Sequence, residues 1–176
     1  MENDNWFTVE KMNKIVFLDI DGVLNSSAWN ESHQDEIKKG ILIDRQKVTL
    51  LASLVKKTGA RIILHSGWRY WFDNKLKPLR IESEYLIEFL QQEGLSIEGV
   101  TPDLTTEEIR TTKKFSLVKA DEILLWLKQN ENVASWVVFD DLDLHNVEVE
   151  QYQVKTDYMV GLTYFDIEKA EEILTN

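Results

Sequence analysis

Cysteine is missing from the 176-residue chain, so disulfides and thiolate metal sites are excluded. No stretch approaches the roughly 18–20 apolar residues that a membrane span needs. Positive charge is also in short supply. Twenty Lys and Arg stand against 31 Asp and Glu, a formal net charge of −11. A chain this acidic is repelled by polyphosphate backbones, so strong non-specific nucleic-acid binding is not expected. Met1 to Asn13 lacks the positive-then-apolar layout of a secretory signal and reads as an N-terminal tail (1–13), which makes the expected location cytoplasmic. Internal repeats, low-complexity tracts and linkers are absent too.

What is present fits one globular domain, residues 14–176, with a core of its own. Hydrophobic residues make up 43% and charged residues 29%, an ordinary soluble balance. A small basic island, Arg69, Lys75, Lys77 and Arg80, is interleaved with Trp68, Tyr70, Trp71 and Phe72, and a second cluster is Arg110, Lys113 and Lys114. Solvated loop and helix faces are the ordinary reading of such charges. A rim that attracts an anionic substrate is the alternative.

Five short apolar runs read as buried strands of a parallel sheet: Lys14–Ile20, Arg61–Leu64, Leu95–Val100, Ser135–Phe139 and Tyr152–Lys155. Helical patterns lie between them. In the first, Asp44 caps, Val48, Leu51, Leu54 and Val55 follow the 3,4 spacing, and Gly59 terminates. The second runs from about Ser83 to Glu93. The third places Ala120, Ile123, Leu124 and Leu127 on one face. In the last, Asp166 is expected to cap a helix buried through Ile167, Ala170, Ile173 and Leu174. Alternating strands and helices predict a doubly wound, Rossmann-like α/β sandwich. Two segments fit no element, Val23–Ile43 and Thr101–Leu117. The first carries Trp29 and His33 and would suit a flap over a site.

In open α/β sheets ligands bind beyond the carboxyl ends of the strands. The first run ends Asp19-Ile20-Asp21-Gly22, the second His65-Ser66-Gly67, and the fourth Asp140-Asp141, while Lys119 opens the third helix. Each feature alone has an ordinary explanation: a turn, a cap, a strand-ending hydroxyl, a surface lysine. Together they predict a pocket crowded with carboxylates. Two like charges about 4 Å apart repel by roughly 4 kcal/mol at an effective dielectric of 20. A hard divalent cation such as Mg²⁺ relieves that repulsion through all-oxygen ligation, and a nearby lysine offsets more of it. The set predicts a metal and an anionic substrate.

That order of motifs resembles the haloacid-dehalogenase (HAD) superfamily. Its aspartate–x–aspartate–glycine motif reads Asp19-Ile20-Asp21-Gly22, its strand-ending hydroxyl is similar to Ser66, its helix-opening cation to Lys119, and its late acidic pair to Asp140-Asp141. The likeness spans about Lys14 to Leu174. More narrowly, FLDIDGVLN, SGWR and GVTPDL resemble small HAD domains of polynucleotide-repair-associated proteins. The resemblance implies a five-stranded sheet ordered fifth, fourth, first, second, third, with Val23–Ile43 as a short flap in place of a large cap.

It also implies an Mg²⁺-dependent phosphatase. Asp19 would be the nucleophile, Asp21 the general acid and base, and Ser66 and Lys119 would hold and balance the phosphoryl group. Gly67 and Arg69 would contact substrate; Asp19, the Asp21 main chain and Asp140 or Asp141 would hold the metal. Trp68 would line the entrance, chiefly as packing. The expected partner is a phosphorylated substrate, either a small molecule or a nucleic-acid end. Transfer to an acceptor other than water, or a non-catalytic binding protein on the same fold, are the alternatives. A receiver-type signalling domain uses similar residues, but there the acidic pair comes first.

Overall fold

The computed structural model describes residues 13–176. Five strands, β1 (Asn13–Leu18), β2 (Arg61–Leu64), β3 (Ile97–Val100), β4 (Val133–Asp140) and β5 (Gln153–Lys155), form one sheet in the order β3-β2-β1-β4-β5. Every pairing is parallel. The implied order and fold class are therefore those of the chain. Asn13 belongs to β1, and the rest of the expected tail lies outside the described residues. Among the described residues no helix is long and apolar enough to cross a membrane.

Alternation along β1 explains the three layers. Val16 and Leu18 face one side, where they join Val48, Leu51 and Leu54 of α3 (Arg45–Thr58), Leu86, Phe89 and Leu90 of α4 (Ile81–Gln92), and Ile167, Ala170 and Leu174 of α8 (Tyr164–Thr175). Ile15 and Phe17 face the other side, against Ala120 and Ile123 of α6 (Ser116–Gln129) and Val149 of α7 (Val147–Glu150). There the Phe17 ring meets Trp126 and Trp136 edge-on, with centroids 5.3 and 6.0 Å away. Where a strand is covered on both faces it is apolar at successive positions, which is why residues 15–18 of β1 read as one continuous run.

Helix ends follow local chemistry. Asp44 caps α3 by accepting from the Gln46 amide, and Gly59 ends it in the left-handed region at φ 70°. At α8 the expectation is corrected. Thr163 is the capping residue, and Asp166 is its reciprocal partner three residues on, accepting from the Thr163 amide at 2.9 Å. Both residues are competent caps, and the reciprocal geometry selects Thr163.

The two segments without an assigned element hold three short helices. Val23–Ile43 contains α1 (Ser27–Ser32) and α2 (Gln34–Ile37), and Thr101–Leu117 contains α5 (Glu107–Thr112) before entering α6. The first segment is pinned at its roots by fully buried Val23, Leu24 and Ile43 and by backbone bonds from Asp44 to Leu24 and from Leu162 to Val23.

Candidate active site

Register builds the site. Leu18 is level with Leu64 on one side and Phe139 on the other, so β1, β2 and β4 reach the site at the same height. The next residues are Asp19, His65-Ser66 and Asp140-Asp141. The Asp19 amide still bonds to the Phe139 carbonyl at 3.0 Å, and the His65 amide to the Leu18 carbonyl at 2.8 Å, which extends the ladder by one step into the site.

Lys119, in the first turn of α6, reaches across the end of the sheet. Its ammonium lies 3.0 Å from Asp19 Oδ2 and also donates to Asp140 Oδ2. Asp19 and Asp140 are buried, and Lys119 is only 8% exposed. Burial works against the lysine's charge, but Asp19 and Asp140 outweigh it and raise its pKa above an ordinary lysine's. Asp140 is pushed up to about 7, by burial and then by the Asp19 charge, with Lys119 pulling the other way. Burial and Asp19 push Asp141 up as well.

Carboxylate oxygens of Asp19, Asp140 and Asp141 lie within 4.8 Å of one another. With all three ionised, as metal binding requires, three carboxylates against one ammonium leave two negative charges at the centre of an all-oxygen donor set. A small hard divalent cation matches both charge and donor type. The turn after β1 is shaped for this cluster: Gly22 has φ +73°, and a Cβ there would sit 2.6 Å from Cγ of Asp141. Thr156 donates to the Gly22 carbonyl at 2.7 Å and ties the same turn to the residue after β5.

Asp21 stands apart from this cluster. Asn25 donates to its Oδ1 at 2.9 Å and the Trp68 indole N–H to its Oδ2 at 3.0 Å. Asn25 also accepts from the Gly22 amide at 2.9 Å. Trp68 does pack, being buried and 4.5 Å from Trp71 between ring centroids, but its indole nitrogen points at the site.

Ser66 caps a single 3₁₀ turn, Gly67–Trp71, by accepting from the Trp68 amide at 3.2 Å. Ser66, Gly67, Asp19, Asp21, Lys119 and Asp141 line one cavity of about 440 Å³, whose apolar lip is Tyr70, Phe115 and Leu142. Arg69 lines it too, but its guanidinium is engaged. It makes paired bonds of 2.9 and 2.8 Å to fully buried Glu122 and a longer one to Asp103. The other basic residues of the two islands do not line this cavity; Arg80, for example, stacks over Trp71 and pairs with Glu82.

No residue of Val23–Ile43 lines the cavity, whereas Thr105 and Phe115 from the second irregular segment do. Trp29 and His33 instead stack on each other at 4.5 Å and border a separate cavity with Phe89 and Arg45. His65, fully buried, has its Nδ1 3.3 Å from Thr101 Oγ1. Burial, then the charges of Lys119 and Arg69, hold its pKa well below the ordinary value, so the imidazole is neutral.

Sequence reasoning missed Asn25, Thr101 and Glu122. Glu122 had a signal, since it lies one helical turn beyond Lys119 and so faces the same way. Asn25 had a local signal as well, lying three and four residues after the Gly22 and Asp21 it bonds, whereas Thr101 had none, because its role depends on where irregular chain returns.

A parallel sheet ordered 3-2-1-4-5, with a nucleophile-type aspartate after the central strand and an acidic pair after its neighbour, defines a HAD-like domain. Residues 15–167 match the family described as the HAD domain in Swiss Army Knife RNA repair proteins, and the chain belongs to that family. Membership places it among hydrolases of the phosphatase type at the level of the superfamily. Neither the curated proteins nor the solved structures contain a significant match to it.

Proposed function

We propose that the chain is an Mg²⁺-dependent phosphomonoesterase that works through an aspartyl-phosphate on Asp19. The observation that carries this reading is the convergence of Asp19, Ser66, Lys119 and Asp141 on one cavity, with Asp21 held outside the carboxylate cluster by two donors. An oxygen of Asp19 attacks phosphorus in line, and the bond from phosphorus to the leaving oxygen breaks. Asp21 delivers a proton to that oxygen, then takes one from the water that hydrolyses the acyl phosphate. Ser66 and the Gly67 amide bind phosphoryl oxygens, and the Lys119 ammonium balances charge as it spreads over them.

Asp19, Asp140 or Asp141 and the Asp21 main-chain carbonyl would hold Mg²⁺. When bound, the ion supplies shielding of the nucleophile from the phosphate's charge. Arg69 is assigned here to the cavity wall, where it neutralises Glu122 and presents Tyr70 at the lip; its guanidinium lies over the Tyr70 ring at 5.3 Å.

The substrate class we favour is a terminal phosphate on a nucleic-acid end or nucleotide. The family's description supports an RNA end, and the aromatic lip of Tyr70 and Phe115 suits a stacked base. The net charge of −11 favours a chain end over extended backbone contact. The test is phosphate release from an aryl phosphate and from a phosphate-ended oligonucleotide, with and without Mg²⁺. Turnover that needs the metal and disappears in Asp19→Asn is the expected result. Metal-dependent turnover by a folded Asn variant would remove the nucleophile assignment. Release without any added acceptor separates hydrolysis from phosphotransfer.

A further inference from the structure

We infer that Trp68 is a positioning residue: its indole N–H holds the carboxylate of Asp21 where the leaving oxygen of the substrate will be. The inference rests on the reading of Asp21 as the proton donor and adds to it how that donor is aimed.

Three observations carry it. Asp21 lies in the turn after β1 and is itself exposed, so backbone and packing leave its side chain free to rotate. Both of its oxygens are nevertheless occupied, Oδ1 by Asn25 at 2.9 Å and Oδ2 by Trp68 at 3.0 Å. Trp68 in turn is a fixed support. It is 3% exposed, its ring lies 4.5 Å from Trp71, and its amide donates to Ser66 Oγ at 3.2 Å.

The same residue therefore ties the hydroxyl assigned to the phosphoryl group to the carboxylate assigned to the leaving group, across 47 positions of sequence. Without the indole donor, Asp21 keeps one tether and gains a second rotamer range. Asn25 cannot compensate, because its amide is already shared with the Leu42 carbonyl at 3.1 Å. An Asp21 that rotates away still leaves Asp19 free to attack. What suffers is proton delivery, and that matters in proportion to how basic the leaving oxygen is.

The discriminating variant is Trp68→Phe, which keeps an aromatic ring against Trp71 and removes the donor. Turnover is measured over a series of aryl phosphates, from dinitrophenyl, whose leaving group needs no proton, to phenyl, whose leaving group does. We expect a loss of about 10- to 100-fold on phenyl phosphate, the size typical of a misplaced catalytic group, with dinitrophenyl phosphate turnover close to that of the wild type. The retained turnover on the activated ester also reports an intact fold. Asn25→Ser, which removes the donor to the other oxygen, should show the same dependence on leaving group and serves if the Phe variant is unstable. A uniform loss across the series, or no loss, overturns the inference and leaves the phosphatase reading standing. No wild-type turnover on any ester, with or without Mg²⁺, overturns the phosphatase reading and the inference with it.

Discussion

A Cβ placed on Gly22 would stand 2.6 Å from Cγ of Asp141 and within 2.8 Å of its Oδ2. The contact joins the turn after β1 to the end of β4 and leaves no space for a side chain. Glycine is also required by the backbone, because φ there is +73°. Gly22→Ala therefore carries two penalties. The left-handed conformation costs about 1–2 kcal/mol, and relief of the clash displaces Asp141 from the carboxylate cluster. The expected result is a lower denaturation midpoint together with weaker Mg²⁺ binding by calorimetric titration. An Ala variant with unchanged metal affinity would show that Asp141 is not a ligand.

Metal-free protein should become more stable as the pH is lowered from 8 to 6. Burial and Asp19 hold Asp140 at about 7 in the folded chain, above the carboxylate's ordinary unfolded value. A raised acid pKa means that the folded state binds more protons between the two values. The stability it contributes is complete below the unfolded pKa and is lost as pH rises through about 7. Melting temperature measured in a chelator should thus fall from pH 6 to 8, and saturating Mg²⁺ should flatten that slope. In Lys119→Met, where the ammonium between Asp19 and Asp140 is gone, the fall should be steeper.

Arg69→Ala should cost about 3–5 kcal/mol of folding stability, as expected when one partner of a buried ion pair is removed. Glu122 is fully buried and would be left with an uncompensated charge, having only the Leu104 amide at 3.0 Å to replace the guanidinium. Glu122→Gln together with Arg69→Ala should recover much of the loss. Chemical denaturation of the two singles and the double measures this. Additive losses would argue that Arg69 acts on something other than Glu122.

At the far end of the chain, Thr163→Ala should lower stability by about 1 kcal/mol through loss of the α8 cap and leave turnover unchanged. Its hydroxyl and amide both bond to Asp166, at 2.6 and 2.9 Å, and neither residue lines the cavity. Asp166→Ala should cost a similar amount, since it breaks the same reciprocal pair.

The strand ends show how much was legible beforehand. β1, β2 and β4 announce themselves because they are buried on both faces, so their apolar runs are continuous and the polar residues that end them stand out. β3 is shorter than expected, starting at Ile97 instead of Leu95. Leu95 is buried through the loop that follows α4, and burial without a ladder partner looks the same in sequence as a strand. The short helices α1, α2 and α5 went unread, because four to six residues are too few to show a helical period.

By itself the sequence determined the layered fold and which polar groups stand where strands end and α6 begins: Asp19, Asp21, Ser66, Lys119 and Asp140-Asp141 are carried by periodicity and by motif order. Tertiary structure alone decided how those groups are divided. It paired Lys119 with Asp19 and Asp140, brought the Trp68 indole to Asp21, and tied the guanidinium of Arg69, in the cavity wall, to Glu122. Local periodicity depends on which face is apolar, and that is written along the chain. Which cation meets which carboxylate depends on distances across 21 to 100 residues of sequence, and those are set only when the sheet assembles and the loops return over its edge.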